Sequence, residues 1–304
     1  ADGSYKAGDV ITVTLKASEA VTIAGGTPTL LLETGATDRA ATYVSGSGTD
    51  TLTFTYTVQP GDQTGDLDYA TAAALALNGA TARDAAGNDL ALALPTPGGA
   101  GSLGGNKAIV IDTAAPTALL VTSTNADATY KAGDVITLQV VFTEGVTVAG
   151  GTPTLQLETG ATDRLATYTG GTGTNTLTFS YTVQPGDQTA DLESLSTGAL
   201  ALGGATIKDA AGNDASLTLP ALGSVDALGG NKDLVIDGAA PAVGNVSSPN
   251  ADQAYKAGDT VLITVQLSEV VTVAGGIPTL TLETGATDRA ATYVSGSGTD
   301  TLVF

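Results

Sequence analysis

Apolar and polar residues alternate along much of the chain. Every second position between residues 136 and 142 carries a large apolar side chain: Ile136, Leu138, Val140 and Phe142. Successive side chains of a β-strand point to opposite faces, so this alternation predicts a strand with one buried face. Segments rich in Gly, Pro and Asp, at residues 159–163, 170–173 and 184–187, interrupt the alternation and predict turns.

The same pattern predicts seven strands between residues 116 and 240. They are residues 119–123, 135–143, 152–158, 165–168, 176–183, 205–208 and 235–237. Short strands joined by turns are typical of an antiparallel β-sandwich. Two other interpretations stay open: an additional strand within the Gly-rich residues 215–232, and a short helical turn within the Ala-rich residues 69–77.

The chain repeats itself with a period of 125 residues. The motif Tyr-Lys-Ala-Gly-Asp begins at Tyr5, Tyr130 and Tyr255, and 130 − 5 equals 255 − 130. Residues 32–52 are identical to residues 282–302. A period of this length fits one sandwich and its linker. We therefore predict repeat 1 (residues 1–115, without its first strand), repeat 2 (residues 116–240) and the first half of repeat 3 (residues 241–304), cut from a longer array.

Composition narrows the classes of function. The chain has 31 acidic and 11 basic residues and a net charge of −20, which repels nucleic acids and anionic membranes. No apolar run approaches the length of a membrane span. The absence of His and Cys excludes thiolate metal sites, Cys nucleophiles and the usual neutral-pH base. We therefore expect a protein that is not an enzyme and inserts into no membrane.

Several motifs together resemble a known family. They are the Tyr-Lys-Ala-Gly-Asp motif at Tyr130, residues 142–144 (Phe-Thr-Glu), residues 208–214 (Lys-Asp-Ala-Ala-Gly-Asn-Asp) and Val-Ile-Asp before a linker proline at residues 235–237. This set is similar to the bacterial immunoglobulin-like, cadherin-like extender repeats of giant secreted surface proteins and adhesins of Gram-negative bacteria. The resemblance implies tandem immunoglobulin-like antiparallel β-sandwiches, a place outside the cell or on the bacterial surface, and calcium between domains.

Acidic and amide side chains recur where such a fold would gather them. Asp209, Asn213 and Asp214 lie in the loop before the last strand, and Glu144 directly follows a predicted strand on its inward side. Oxygen ligands among small residues suit a hard cation. The alternatives are that Asp209 caps its own loop backbone in an Asx turn, and that Glu144 points to solvent.

The linker residue Asp112 should lie at the same end of the repeat 2 sandwich as Glu144 and Asp209, which is here called its pole. Asp66 and Asp68, from the preceding repeat, could face this pole from the other side, although a solvated acidic loop is the alternative interpretation. Close carboxylates repel unless a cation joins them. Because only oxygen ligands are available, the sequence predicts Ca²⁺ at this junction, and a second site at Asp237 and Glu269.

These observations favour a structural or adhesive module, a calcium-stiffened extender of a surface adhesin, filament or surface layer. Two alternatives remain: a module that binds a glycan or a cell-surface protein, and a non-catalytic stalk of a secreted enzyme. The expected partners are neighbouring repeats of the same chain, and other copies in a filament or a ligand on a host or other surface. Sugar binding is disfavoured by the absence of Trp.

Overall fold

The computed structural model describes residues 1–304 and is almost entirely β-structure. Strands make up 46% of the residues and helices 3%, and the sheets are mainly antiparallel. The predicted all-β, sandwich-type fold class is confirmed. No helix has the length and apolar character needed to cross a membrane.

Repeat 1 contains ten strands and one single-turn helix. They are β1 (Gly3–Tyr5), β2 (Val10–Ala24), β3 (Thr29–Glu33), β4 (Arg39–Ser45), β5 (Thr49–Thr57), β6 (Gln63–Thr64), β7 (Asp68–Tyr69), β8 (Leu75–Ala76), β9 (Thr81–Arg83), α1 (Leu103–Asn106) and β10 (Ile109–Asp112). The larger sheet has the order β7-β3-β4-β5-β2-β9, and β8 also pairs with β3. The smaller sheet has the order β1-β10-β6, in which β1 and β10 are parallel.

Repeat 2 has the same order of elements with one additional strand at its start. Its elements are β11 (Ala118–Ser123), β12 (Ala128–Lys131), β13 (Val135–Ala149), β14 (Thr154–Glu158), β15 (Arg164–Gly170), β16 (Thr174–Thr182), β17 (Gln188–Thr189), β18 (Glu193–Ser194), β19 (Leu200–Ala201), β20 (Thr206–Lys208), α2 (Leu228–Asn231) and β21 (Leu234–Asp237). The larger sheet follows β11-β13-β16-β15-β14-β18, with β19 on β14 and β20 on β13. The edge strand β11 has no counterpart in repeat 1.

Residues 241–304 form five strands. They are β22 (Val243–Ser247), β23 (Thr264–Val271), β24 (Thr279–Leu282), β25 (Arg289–Thr292) and β26 (Thr299–Val303). The sheet orders are β22-β23-β26 and β24-β25. Strand β22 therefore occupies the position that β11 has in repeat 2.

The chain divides into two compact units that do not follow the repeat boundaries. Unit 1 comprises Ala1–Thr129, Val135–Thr182 and Thr189–Val235, and unit 2 comprises Tyr130–Asp134, Val183–Gln188 and Ile236–Phe304. Unit 1 thus holds nearly all of repeats 1 and 2, including the linker between them. The boundaries at residues 115 and 240 stay a prediction.

The core of repeat 2 follows the alternation seen in the sequence. The four inward residues of β13 are fully buried: Ile136, Leu138, Val140 and Phe142. Burial of one large apolar side chain stabilises a fold by about 1.5–3 kcal/mol. These four side chains therefore contribute much of the stability of repeat 2. Phe179 of β16 packs edge-to-face on Tyr168, with ring centroids 6.0 Å apart.

Three sequence expectations are wrong in detail. Strand β13 does not end at residue 143 but continues to Ala149, through an irregularity in its pairing with β16. Residues 69–77 contain no helix: β7 and β8 lie at the two ends of this segment, and between them a single turn is closed by a hydrogen bond from the N–H of Ala74 to the carbonyl of Thr71. Residues 215–232 contain no named strand and end in the single-turn helix α2.

Candidate functional site

Three carboxylates meet between repeats 1 and 2, inside unit 1. Asp112 is the last residue of β10, Glu144 lies in β13, and Asp209 directly follows β20. One carboxylate oxygen from each lies within 4.8 Å of the others. These three side chains, here called the junction triad, are close enough to bind one metal ion.

Glu144 joins the triad because β13 changes partner at this point. β13 pairs with β16 as far as Val141 and again at Val146, and its last part pairs with β20 from Thr147 onward. The register shifts between Val141 and Val146, as in a β-bulge, which bends a strand and re-aims its side chains. Glu144 is half-buried there, so its side chain does not point fully to solvent, as the alternative interpretation supposed.

Asp209 is held by its own loop. Its two carboxylate oxygens accept hydrogen bonds from the backbone N–H of Asn213 at 2.8 Å and from its side-chain amide at 2.7 Å. Gly212 has a φ of +90°, a conformation that favours glycine and lets the loop close. This is the capped loop that the Asx interpretation described. It leaves Asp209 only 6% exposed, beside Asp112 and Glu144.

Direct contacts between the two repeats surround the triad. The side-chain amide of Asn213 also donates a hydrogen bond to the backbone carbonyl of Asp112 at 2.9 Å. The ammonium group of Lys6 donates to the carbonyl of Gly212 at 2.9 Å. Asp112 and Asn213 are therefore brought together as the sequence predicted.

Asp214 has a different role from the one predicted. Its carboxylate pairs with the ammonium group of Lys208 and is largely exposed. The hydrogen bond and the charge of Lys208 hold the pKa of Asp214 below its usual value. The triad does not include Asp214, whose charge Lys208 already balances.

The carboxylates of the triad affect each other's protonation. Burial raises the pKa of Glu144, and the negative charges of Asp112 and then Asp209 raise it further. Both causes disfavour the charged form of this side chain. An ionised Glu144 is therefore destabilising unless a positive charge enters the triad.

This geometry predicts a pH dependence in the absence of metal ions. Because the pKa of Glu144 is higher in the folded chain than its ordinary value of 4.5, the folded chain binds the proton first and gains stability as the pH falls. Glu144→Gln should therefore increase the free energy of unfolding in chelator at neutral pH. The increase should disappear at a pH below 4.5, the ordinary pKa of the side chain, where Glu144 is protonated in both the folded and the unfolded chain. Urea denaturation of both proteins at the two pH values measures this difference, and an increase that is independent of pH would contradict it.

The structure does not bring Asp66 and Asp68 into the triad. Burial disfavours the charged form of Asp68, but hydrogen bonds outweigh it and lower its pKa; the largest come from the N–H of Gly98 and the hydroxyl of Ser102. Asp68 also accepts a hydrogen bond from the N–H of Leu103 at 3.2 Å. Its carboxylate thus orders the loop before α1 within repeat 1. Asp66 lies beside it, and its N–H bonds to the hydroxyl of Thr64.

Asp237 and Glu269 occupy the positions of Asp112 and Glu144 at the next linker. Glu269 is half-buried in β23, and Asp237 ends β21 and accepts a hydrogen bond from the N–H of Ala239 at 3.3 Å. The 304 residues include no counterpart of Asp209 at this linker. The predicted second site stays a prediction.

The role of Asp62 was missed, because the sequence analysis considered only Asp66 and Asp68 of this acidic loop as candidate ligands. Asp62 is 2% exposed and accepts hydrogen bonds from Arg39 at 3.1 Å, from the N–H of Gln59 at 2.9 Å, and from the Tyr56 hydroxyl. The hydroxyl of Thr113, next to Asp112, donates to the backbone carbonyl of Asp62 at 2.9 Å. The network therefore anchors the linker beneath the triad.

A sequence signal for this network exists. In both repeats a tyrosine near the end of a strand is followed six positions later by an aspartate. The pairs are Tyr56 with Asp62 and Tyr181 with Asp187. Both aspartates are buried. A recurring Tyr–Asp pair at the end of a strand was thus an indication of a buried hydrogen bond.

Comparison with protein-family models and with curated proteins gives no match for this chain. The arguments on function therefore depend on the internal repeat, the charge of the chain and the geometry of the junction triad.

Proposed function

We propose that the chain is a non-enzymatic, extracellular repeat module that extends a bacterial surface adhesin, filament or surface layer, and that Ca²⁺ bound by the junction triad fixes each repeat to the next. One observation carries this proposal. The triad takes Asp112 from the end of repeat 1 and Glu144 and Asp209 from repeat 2, so a single ion would connect both repeats.

The chemistry of the triad favours calcium over a softer metal. Its donors are all carboxylate oxygens, and the whole chain lacks His and Cys. Calcium takes six to eight oxygen ligands at flexible geometry, and three carboxylates can supply three to six of them, with water completing the shell. Zinc prefers nitrogen and sulfur ligands.

A bound cation would remove the electrostatic repulsion among the three carboxylates of the junction triad. Without it, Glu144 is held close to two other carboxylates in a half-buried position, and its ionised form is unfavourable. With a cation bound, all three carboxylates are attracted to the same ion, and the linker residue Asp112 is fixed to the sheet and loop of repeat 2. The expected result is a linker that stiffens where calcium is abundant, outside the cell.

Calcium titration of the full chain tests this proposal. Extracellular modules bind calcium with a Kd of about 10⁻⁴–10⁻³ M. A ligand at a hundredfold excess over Kd stabilises the folded state by about 2.7 kcal/mol. We therefore expect binding heat in calorimetry, a higher melting temperature in calcium than in chelator, and stronger hydrogen-exchange protection of residues 109–113 and 209–213.

Glu144→Gln and Glu19→Gln form a matched pair of variants for this test. Glu19 is the counterpart of Glu144 in β2 of repeat 1, where it is exposed and belongs to no triad. Glu144→Gln should remove the calcium response of the junction, whereas Glu19→Gln should keep it. Identical melting temperatures in calcium and chelator for the unmodified chain, with no binding heat, would refute the proposal.

A further inference from the structure

One loop of repeat 2 makes hydrogen bonds to repeat 1 that involve no metal ion. This loop, residues 209–214, directly follows β20 and is here called the docking loop. The carbonyl oxygen of Gly212 accepts a hydrogen bond from the ammonium group of Lys6 at 2.9 Å. The side-chain amide of Asn213 donates to the carbonyl of Asp112, also at 2.9 Å. Repeat 1 thus supplies one donor and one acceptor to the same loop.

The pairing of β1 with β10 places this donor and this acceptor side by side. The two strands are parallel, and Tyr5 lies opposite Ile111. Lys6 and Asp112 are the next residues along the two strands. The turn that follows Lys6 is closed by its own hydrogen bonds, from the N–H of Lys6 to the carboxylate of Asp9 at 2.9 Å and from the N–H of Asp9 to the carbonyl of Lys6 at 3.1 Å. Both groups are therefore held in position within repeat 1.

The contact of Lys6 with the docking loop extends beyond one hydrogen bond. Lys6 is half-buried, and a β-carbon at Gly212 would lie 3.8–4.0 Å from its Nζ, Cδ and Cε atoms, so the lysine stem packs against the loop. The ammonium group of Lys208 also approaches the Gly212 carbonyl, at 3.5 Å. Lys208 lowers the pKa of Asp214 most, and the charge of Lys6 lowers it further. Opposite charges therefore attract each other across the junction.

The conformation of the docking loop follows from its own sequence. The backbone N–H and the side-chain amide of Asn213 donate to the two carboxylate oxygens of Asp209 at 2.8 and 2.7 Å. In the counterpart loop of repeat 1, Asn88 makes the same two hydrogen bonds to Asp84 at the same distances. Two copies of the loop in different surroundings thus have the same internal bonds. A loop that is already ordered loses little conformational entropy when it docks.

Asn213 connects the docking contact with the junction triad. Its amide nitrogen donates both to the carboxylate of Asp209 and to the backbone carbonyl of Asp112, so it joins two of the three residues of the triad. The side chain of Asn213 is uncharged and adds nothing to the repulsion between the carboxylates. Residues that orient the ligands of a metal ion in this way strongly affect its affinity.

We propose that repeats 1 and 2 dock through this loop without a cation, and that Lys6 and Asn213 are positioning residues that hold the junction triad together before the ion binds. The ion then strengthens a contact that already exists. The part of this inference that concerns the ion rests on the proposed function, whereas the docking itself does not. Calcium should accordingly change how firmly the two repeats are held together, and leave their contact in the same place.

Spin labels on two introduced cysteines test the docking, because the chain has no cysteine of its own. Ala36→Cys in repeat 1 and Ala161→Cys in repeat 2 are equivalent, exposed positions. Double electron–electron resonance of the full chain should give one distance maximum in chelator and the same maximum in calcium, with a narrower distribution in calcium. A distribution without a maximum in chelator would overturn the docking, and a maximum that appears only with calcium would at the same time support the proposed function.

Lys6→Met and Lys131→Met form a matched pair of variants for the docking contact. Lys131 is the same residue of the motif in repeat 2, where its side chain is 80% exposed and pairs with Asp134 at 3.0 Å. In chelator, Lys6→Met should broaden the distance distribution and calcium should narrow it again, because the ion still joins the triad. Lys131→Met should leave the distribution unchanged. The same distribution in both variants would contradict the role of Lys6.

Asn213→Ala and Asn88→Ala test the positioning of the triad. Both variants lose the side-chain bond to the aspartate of their own loop, but only Asn213→Ala loses the bond to Asp112. Loss of a residue that orients metal ligands weakens binding about 10–100-fold, so calorimetry should show a Kd for calcium that rises by such a factor in Asn213→Ala and is unchanged in Asn88→Ala. Equal Kd values in the two variants would overturn the role of Asn213, whereas no binding heat in the unmodified chain would refute the proposed function instead.

Discussion

Asp62→Ala should lower the free energy of unfolding of repeat 1 by about 3–5 kcal/mol, because a buried carboxylate loses three hydrogen bonds and bonds to charged groups contribute about 1.5–3 kcal/mol each. The variant leaves the Arg39 guanidinium without its acceptor, and it leaves the Tyr56 hydroxyl and the Gln59 N–H without theirs. Unsatisfied buried polar groups cost about 1–3 kcal/mol each, so the loss cannot be recovered by simple relaxation.

The effect should extend to the linker. Thr113 bonds to the backbone of Asp62 and also accepts the N–H of Gly61 at 3.0 Å. We therefore expect Asp62→Ala to lose hydrogen-exchange protection at residues 109–113 and to bind calcium more weakly. Urea denaturation and exchange mass spectrometry measure the two effects.

Asp50→Ala is the matched control, because Asp50 pairs with Lys16 at 3.6 Å on the exposed surface. Exposed ion pairs contribute about 0–1 kcal/mol. A loss in Asp62→Ala no larger than that in Asp50→Ala would show that the buried network contributes little to stability.

Phe179→Ala should lower the free energy of unfolding of repeat 2 by a similar amount, about 3–5 kcal/mol. Phe179 is fully buried, and its removal leaves a cavity between the layers. It also removes the edge-to-face contact with Tyr168, and such contacts are worth about 0.5–1.5 kcal/mol. Urea denaturation, assigned to repeat 2 by hydrogen exchange, gives the value.

Leu165→Ala in the neighbouring strand β15 is the control for this prediction. Leu165 is an exposed apolar side chain of the same sheet, and surface substitutions usually change stability by no more than about 0.5 kcal/mol. Equal losses in the two variants would contradict the assignment of Phe179 to the core that holds the layers together.

The alternation of the sequence predicted the core because burial imposes a period of two on a strand. Ile136, Leu138 and Phe142 are buried as expected, and the same parity placed Glu144 on the inward side. The pattern could not show that β13 continues past Glu144 and changes partner. That change depends on the pairing partners β16 and β20, which lie far along the chain.

The candidate site was predicted in part. Asp112, Glu144 and Asp209 meet because the order of strands brings the linker, a bulge and a loop to one pole. The environment of Asp68 could not be predicted from the sequence. An acidic residue in a loop can face a neighbouring repeat or cap its own loop, and the local sequence does not distinguish the two. The N–H groups of Gly98 and Leu103 that bind Asp68 lie thirty or more residues away.

The parallel pairing of β1 with β10 has a mechanical consequence. Gly3 lies opposite Ile109 and Tyr5 opposite Ile111, so β1 and β10 of repeat 1 run in the same direction side by side. A tension applied between the start of β1 and the end of β10 pulls these strands past each other lengthwise. The hydrogen bonds between them are then loaded together in shear and must break together, whereas bonds peeled from one end break one after another. Repeat 1 should therefore resist stretching more strongly than its number of hydrogen bonds suggests.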